Sequence, residues 1–209
     1  MTLRGLYGMI DLAPDAAGGE AALALGGALV DGGARIVQLR CKGADARDLL
    51  SLARVLAPWC RARAVTFVVN DRLDVALAAG ADGVHLGQDD LPLAAARAIA
   101  PAGFVIGVST HDEAQARAAV DGGAGYVAFG PCFTTASKRN PDPVVGLERL
   151  ARVCAASTIP VVAIGGIDLD TVADVVRAGA AAAAIIRAVN NASDIPAAAR
   201  QVSAAFQNS

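Results

Sequence analysis

The chain has 209 residues, 55% of them hydrophobic and 18% charged, with a formal net charge of -2. That length suits a single large α/β domain with a sizeable core. A pI of about 5.6 and only 4% aromatic residues give no basic or stacking footprint for nucleic acid, and apolar runs such as AGAAAAAII at 178–186 are too short to span a bilayer.

Short β-branched runs alternate eight times with longer Ala- and Leu-rich segments of helical period. The opening MTLRGLYGMIDLAP lacks the basic, apolar and small-residue regions of a secretory signal, which points to a cytoplasmic protein, and it holds the first strand at 6–11. RIVQLR (35–40) follows, then the helical ARDLLSLARVLAPWCRA, then TFVVND (66–71), GVHLG (83–87), FVIGVS (104–109), YVAFGP (126–131) and PVVAIGG (160–166). The helical DTVADVVRAG leads into the last strand, AAAAIIR at 181–187. In the repeated frames DGGARIVQL, AGADGVHL, DGGAGYVAF and AGAAAAAII, a glycine ends the helix before strands two, four, six and eight. These are Gly33, Gly80, Gly123 and Gly179, each expected in the left-handed conformation of a helix C-terminus. Eight βα units with right-handed crossovers predict an α/β fold, a (β/α)8 TIM barrel spanning 1–209 as a single catalytic domain. An open doubly wound sheet shares the alternation but does not need eight units.

Reacting groups in such a barrel sit at the carboxyl ends of the strands. Those positions are strongly polar here: Gln38, Arg40 and Lys42 after strand two, Asn70 and Asp71 after three, Gln88, Asp89 and Asp90 after four, and Ser109, Thr110 and His111 after five. The long loop CFTTASKRNPDP follows strand six, Gly165 and Gly166 end strand seven, and Arg187 ends strand eight. The only two lysines among 18 basic residues, Lys42 and Lys138, both fall on this face.

Asp71 and Asp90 end successive units and can converge on a hard cation such as magnesium. Either acid alone reads as a helix cap, near Leu73 and near Pro92 respectively. Two acids opposite Arg40, Lys42 and Lys138 favour a metal and polyphosphate site, with Asp89 left as a cap or supporting group. Thr135, Ser137 and Lys138 in TTASK offer the hydroxyls and ammonium that grip a phosphate, and Gly165 and Gly166 admit close backbone approach at the usual phosphate cradle of this fold. His85, inside strand four, reads as a core histidine, and His111 as part of a helix cap. Cys41, Cys60, Cys132 and Cys154 show no CxxC or histidine pattern, so free thiols without chemistry are expected. The residues therefore predict a barrel enzyme for small phosphorylated substrates, with no nucleic-acid or membrane partner; the sequence leaves a homo-oligomer open.

The segments VQLRCK, VVNDRLDVALAAGADGVHLGQDDLP, IGVSTH, FGPCFTTASK and VVAIGGI, in that order and spacing, make the chain resemble the thiamine phosphate synthase family, also called thiamine-phosphate pyrophosphorylases. The resemblance implies transfer of a pyrimidinylmethyl group from hydroxymethylpyrimidine diphosphate to a thiazole phosphate, with Mg2+ as cofactor. It implies that Gln38, Arg40, Lys42, Asn70, Ser109 and Lys138 hold the pyrimidine diphosphate and that Asp71 and Asp90 bind the metal. It assigns the thiazole phosphate to Thr135, Ser137, Gly166, Ile186 and Arg187. Arg40, Lys42 and Lys138 would stabilise the charge of the leaving pyrophosphate. The chain departs from the family pattern at Cys41, usually Asp or Glu, at Ser137, usually Thr, and at Arg187, usually Ser. A thiazole tautomerase-like relative shares the barrel but has no diphosphate or metal to bind. A non-catalytic phosphate-metabolite binder would show ligand binding without turnover.

Overall fold

The computed structural model describes residues 3–16, 18–135 and 142–207. Eight strands run in chain order around a closed parallel barrel. They are β1 (Gly5–Asp11), β2 (Ile36–Arg40), β3 (Thr66–Asn70), β4 (Gly83–Leu86), β5 (Val105–Thr110), β6 (Tyr126–Phe129), β7 (Val161–Ile164) and β8 (Ala182–Ile185). The closing pair sets Gly5 opposite Ala182 and Gly8 opposite Ile185. Nine α-helices occur among the described residues: α1 (Gly19–Asp31), α2 (Ala46–Arg61), α3 (Leu73–Ala79), α4 (Leu93–Ile99), α5 (Glu113–Asp121), α6 (Gly146–Ala156), α7 (Val172–Arg177), α8 (Arg187–Asn190) and α9 (Ile195–Ala205). The four glycines expected at helix ends all have left-handed φ, +101° at Gly33, +69° at Gly80, +80° at Gly123 and +91° at Gly179.

Two separate apolar layers follow from the period-two alternation of the strands. Leu6 and Ile10 of β1 face the helices, whereas Tyr7 and Met9 face the barrel interior. The helix layer is matched by stripes such as Leu49, Leu52, Ala53, Leu56, Ala57 and Cys60 of α2, buried at intervals of three and four. That helix starts where the Asp45 carboxylate accepts from the Asp48 N–H at 2.9 Å, a cap worth about 1 kcal/mol.

The interior layer pairs large with small side chains. Tyr7 and Tyr126 share it with Ala128, Ala182 and Ala184. Gly107 on β5 is needed for the same reason, because a Cβ there would lie 2.0 Å from Tyr126 Cζ. The interior therefore admits two phenols below the carboxyl-terminal mouth, and it is these that give the barrel a polar floor.

Candidate active site

A cavity of about 400 Å³ opens at the carboxyl-terminal mouth. Gln38, Arg40, Lys42, Asn70, Asp71, Asp90 and Ser109 line it together, so residues expected to hold one substrate and its metal come from four successive strand ends. Thr135, Gly166, Ile186 and Arg187 line an adjoining cavity of about 250 Å³. A smaller cavity between them shares Arg40, Ser109 and His111 with the first and Thr135 and Gly165 with the second. Ser137 and Lys138 lie outside the described residues.

The acidic rim is built by a backbone device. Asp71 has φ +62°, a left-handed conformation that Asp tolerates better than most residues. Its N–H donates to the His85 carbonyl of β4 at 2.8 Å, and its carboxylate accepts from Lys42 Nζ at 2.9 Å. Asp90 closes a tight turn by accepting from the Gly87 N–H at 2.7 Å. Burial raises the Asp90 carboxyl above its ordinary range; the Gly87 bond opposes this, while the like charge of Asp71 adds to it. Neither acid is a helix cap: α3 follows Arg72 and α4 follows Pro92, both without a side-chain cap bond. Asp89 does not cap α4 either, and instead lines the cavity.

Two facing carboxylates, of which one is pushed toward its neutral form, are what a divalent cation would relieve. Among the described residues no group of three or more His, Cys, Asp or Glu side chains gathers as a cation cage. Magnesium fits this donor set, since it is held by one or two carboxylates and completes its shell with waters and phosphate oxygens.

Asp11, Tyr7 and Tyr126 were not singled out by strand-end reading, and His85 and His111 make contacts beyond those expected of them. Asp11, at the end of β1, accepts from Arg40 Nη1 at 2.5 Å. The α5 cap is Asp112, whose carboxylate accepts from the Gln115 N–H, and His111 takes part in it only through its backbone N–H, which donates to Gln115 Oε1 at 2.8 Å. The His111 Nδ1 instead donates to the Gly130 carbonyl at 2.6 Å, and its Nε2 lies 3.4 Å from Asp142 Oδ2. His85 is buried as expected for a core histidine, yet both ring nitrogens are bonded to cavity-lining hydroxyls, Tyr126 at 2.9 Å and Ser109 at 2.8 Å. Asp11 was accessible by the same strand-end rule. Tyr7 and Tyr126 carry no sequence signal that separates them from ordinary core aromatics.

Gly166 has a packing role. At φ +70° a Cβ would lie 2.5 Å from the Thr134 carbonyl oxygen, so the loop after β6 packs directly on the turn after β7. The four cysteines are free, and burial pushes the Cys60 and Cys132 thiols up to about 12 and Cys154 to about 11. Cys41 is also raised, by burial and then by the charges of Asp11 and Asp48, so none is a ready nucleophile.

Residues 9–189 match the family described as thiamine monophosphate synthase. A thiamine-phosphate synthase of Anaeromyxobacter dehalogenans is 47% identical over 98% of this chain and 89% of its own length. One from Methanoculleus marisnigri is 50% identical over 82% of this chain and 81% of its own. The solved structure of a thiamine phosphate pyrophosphorylase from Pyrococcus furiosus superposes with a TM-score of 0.85 at 33% identity, covering 99% of this chain and 96% of that one. With the family match spanning nearly the whole barrel and the site lying within it, the chain belongs to the thiamine monophosphate synthase family.

Proposed function

We propose that this chain joins hydroxymethylpyrimidine diphosphate to thiazole phosphate or its carboxylated form, giving thiamine phosphate and pyrophosphate. The bond from the pyrimidine methylene carbon to the diphosphate bridging oxygen breaks, its electron pair leaves with pyrophosphate, and the thiazole nitrogen supplies the pair for the new C–N bond. The observation that carries this reading is the Lys42, Asp71 and Asp90 cluster on the rim of a ring-sized cavity beside Arg40.

The leaving group is the harder problem, because a methylene cation next to an aminopyrimidine is internally stabilised whereas pyrophosphate accumulates charge. Arg40, fixed by Asp11, and Lys42 neutralise that charge from the protein side, with Lys138 assigned the same task. Asp71 and Asp90 would hold magnesium, which when bound adds positive charge beside the diphosphate oxygens. Gln38, Asn70 and Ser109 orient the pyrimidine diphosphate, while Met9, Ala128, Val162, Ile164 and Ala184 line the cavity with apolar surface that keeps water from the cationic carbon. Thr135, Ser137, Gly166, Ile186 and Arg187 are the proposed grip on the thiazole phosphate. No protein nucleophile or general base is required, in keeping with four protonated thiols.

The test is direct: purified protein, both substrates and magnesium should yield thiamine phosphate and pyrophosphate in equal amounts. Absence of both products sinks the reading. Asp90→Ala should remove most magnesium-dependent activity, by about 100-fold or more; unchanged activity would leave Asp90 with only its turn-closing role.

A further inference from the structure

Five side chains from five different strands form one continuous hydrogen-bonded chain across the barrel interior. Gln38 Nε2 donates to Tyr7 Oη at 2.9 Å, the Tyr7 and Tyr126 hydroxyls lie 2.6 Å apart, Tyr126 Oη is 2.9 Å from His85 Nδ1, and His85 Nε2 is 2.8 Å from Ser109 Oγ. Both phenols are buried, His85 is 7% exposed and Gln38 is 3% exposed. The chain emerges at Ser109, which lines both the large cavity and the small one that leads toward the thiazole side.

Proton counting gives this chain a direction. An amide N–H can only donate, so Tyr7 accepts from Gln38 and spends its own hydrogen on Tyr126. Tyr126 then spends its hydrogen on His85 Nδ1, which must be the bare, accepting nitrogen. A neutral imidazole with a bare Nδ1 carries its proton on Nε2, and that proton goes to Ser109 Oγ. Ser109 Oγ is thereby engaged as an acceptor toward the barrel interior, and its hydroxyl hydrogen remains as a donor at the cavity end. Burial supports the first links by keeping both phenols protonated, Tyr7 at about 12 and Tyr126 well above its ordinary value.

We propose that Tyr7, Tyr126 and His85 are positioning residues of a one-way chain, which fixes His85 as its Nε2–H tautomer and commits the Ser109 hydroxyl to donate to the diphosphate substrate where charge develops during transfer. The tautomer stands on its own; the catalytic consequence rests on the transferase reading above. Gly107 belongs to the same device, since any Cβ there would displace the Tyr126 hydroxyl, 2.3 Å away.

The tautomer is read without substrate. The chain has two histidines, so 15N-labelled histidine gives two assignable rings. At about pH 8, where an unperturbed imidazole is neutral, His85 should show a protonated Nε2 and a bare Nδ1 in the wild-type protein. A protonated Nδ1 means that the chain runs in reverse, which overturns the proposal. In kinetics, Tyr126→Phe and Ser109→Ala should each lower kcat by roughly tenfold to a hundredfold with KM nearly unchanged. The double variant should fall no further than the worse single variant, because both cut the same chain. Multiplicative losses, or effects confined to KM, overturn the link to Ser109. Should the wild-type protein give no product, the transferase reading fails and the histidine spectrum alone decides the chain.

Discussion

Arg40 reaches across from β2 to β1 and donates to Asp11 at 2.5 Å, with both side chains about one-fifth exposed. The pairing occurs because Asp11 and Arg40 are register partners at the carboxyl ends of adjacent parallel strands. A guanidinium held this way would meet the diphosphate proposed for this site without losing its side-chain freedom at that moment.

Asp11→Asn should therefore weaken the diphosphate site without unfolding the barrel. The amide keeps the shape but not the charge, leaving Arg40 free to sample other rotamers. The expected result is a KM for the pyrimidine diphosphate raised about tenfold, equivalent to ~1.4 kcal/mol, with the thiazole phosphate KM unchanged. Steady-state kinetics with each substrate varied in turn will check it.

Gly107→Ala tests the packing beneath the site. Its Cβ would stand 2.0 Å from Tyr126 Cζ, and Tyr126, fully buried, would have to shift to make room. Overpacking of this kind costs about 1–3 kcal/mol, which should lower Tm by several degrees in a chain of this size. Activity should fall more than Tm suggests, because the displaced hydroxyl breaks the chain to Ser109. Thermal melts alongside kcat at a temperature where the variant is folded separate the two effects.

How far the sequence could be read divides along physical lines. The alternation of periods and the four helix-ending glycines carry the barrel, because each is a local signal that the fold leaves intact. The site rim is legible for a related reason: polar residues at strand ends need no knowledge of tertiary contacts to be placed on one face. Tyr7, Tyr126 and His85 are different, since apart from their polarity they occupy ordinary inward positions, and their joining depends on where five strands bring their side chains. The alternative reading of Asp71, Asp89 and Asp90 as helix caps fails because Arg72 and Pro92 occupy the cap positions of α3 and α4, neither of which has a side-chain cap bond.

Glu113 supplies a pH-dependent contribution to stability on the outer ring. Arg149 chiefly, and then its own backbone N–H and Arg152, hold its carboxyl down at about 2. The two arginines reach it from α6 at 2.6 Å and 3.0 Å, joining α5 to α6. A depressed carboxyl stabilises the fold above its unfolded pKa, near 4.3, and that contribution drains away as pH falls toward 2. Glu113→Gln should therefore lower Tm slightly at neutral pH, the pair being solvent-screened. The difference from wild type should shrink below about pH 4 and vanish near pH 2. A Tm difference that stays constant across that range would mean that the charge is not responsible.

Arg187 opens α8 at the mouth of the second cavity, exposed and without an ion pair among the described residues. A helix of one turn contributes little dipole of its own, so the guanidinium is the main positive charge that this segment offers to an anion. Thiazole phosphate is a dianion near neutral pH, and Arg187→Ser exchanges a charge-assisted bond for a neutral one. The expected outcome is a thiazole phosphate KM raised about tenfold, with a steeper loss at low salt than at high salt because an exposed pair is screened. If instead KM falls, the long side chain obstructs the cavity and the serine opens it. Kinetics at two ionic strengths, with the pyrimidine diphosphate saturating, decide between a grip and an obstruction.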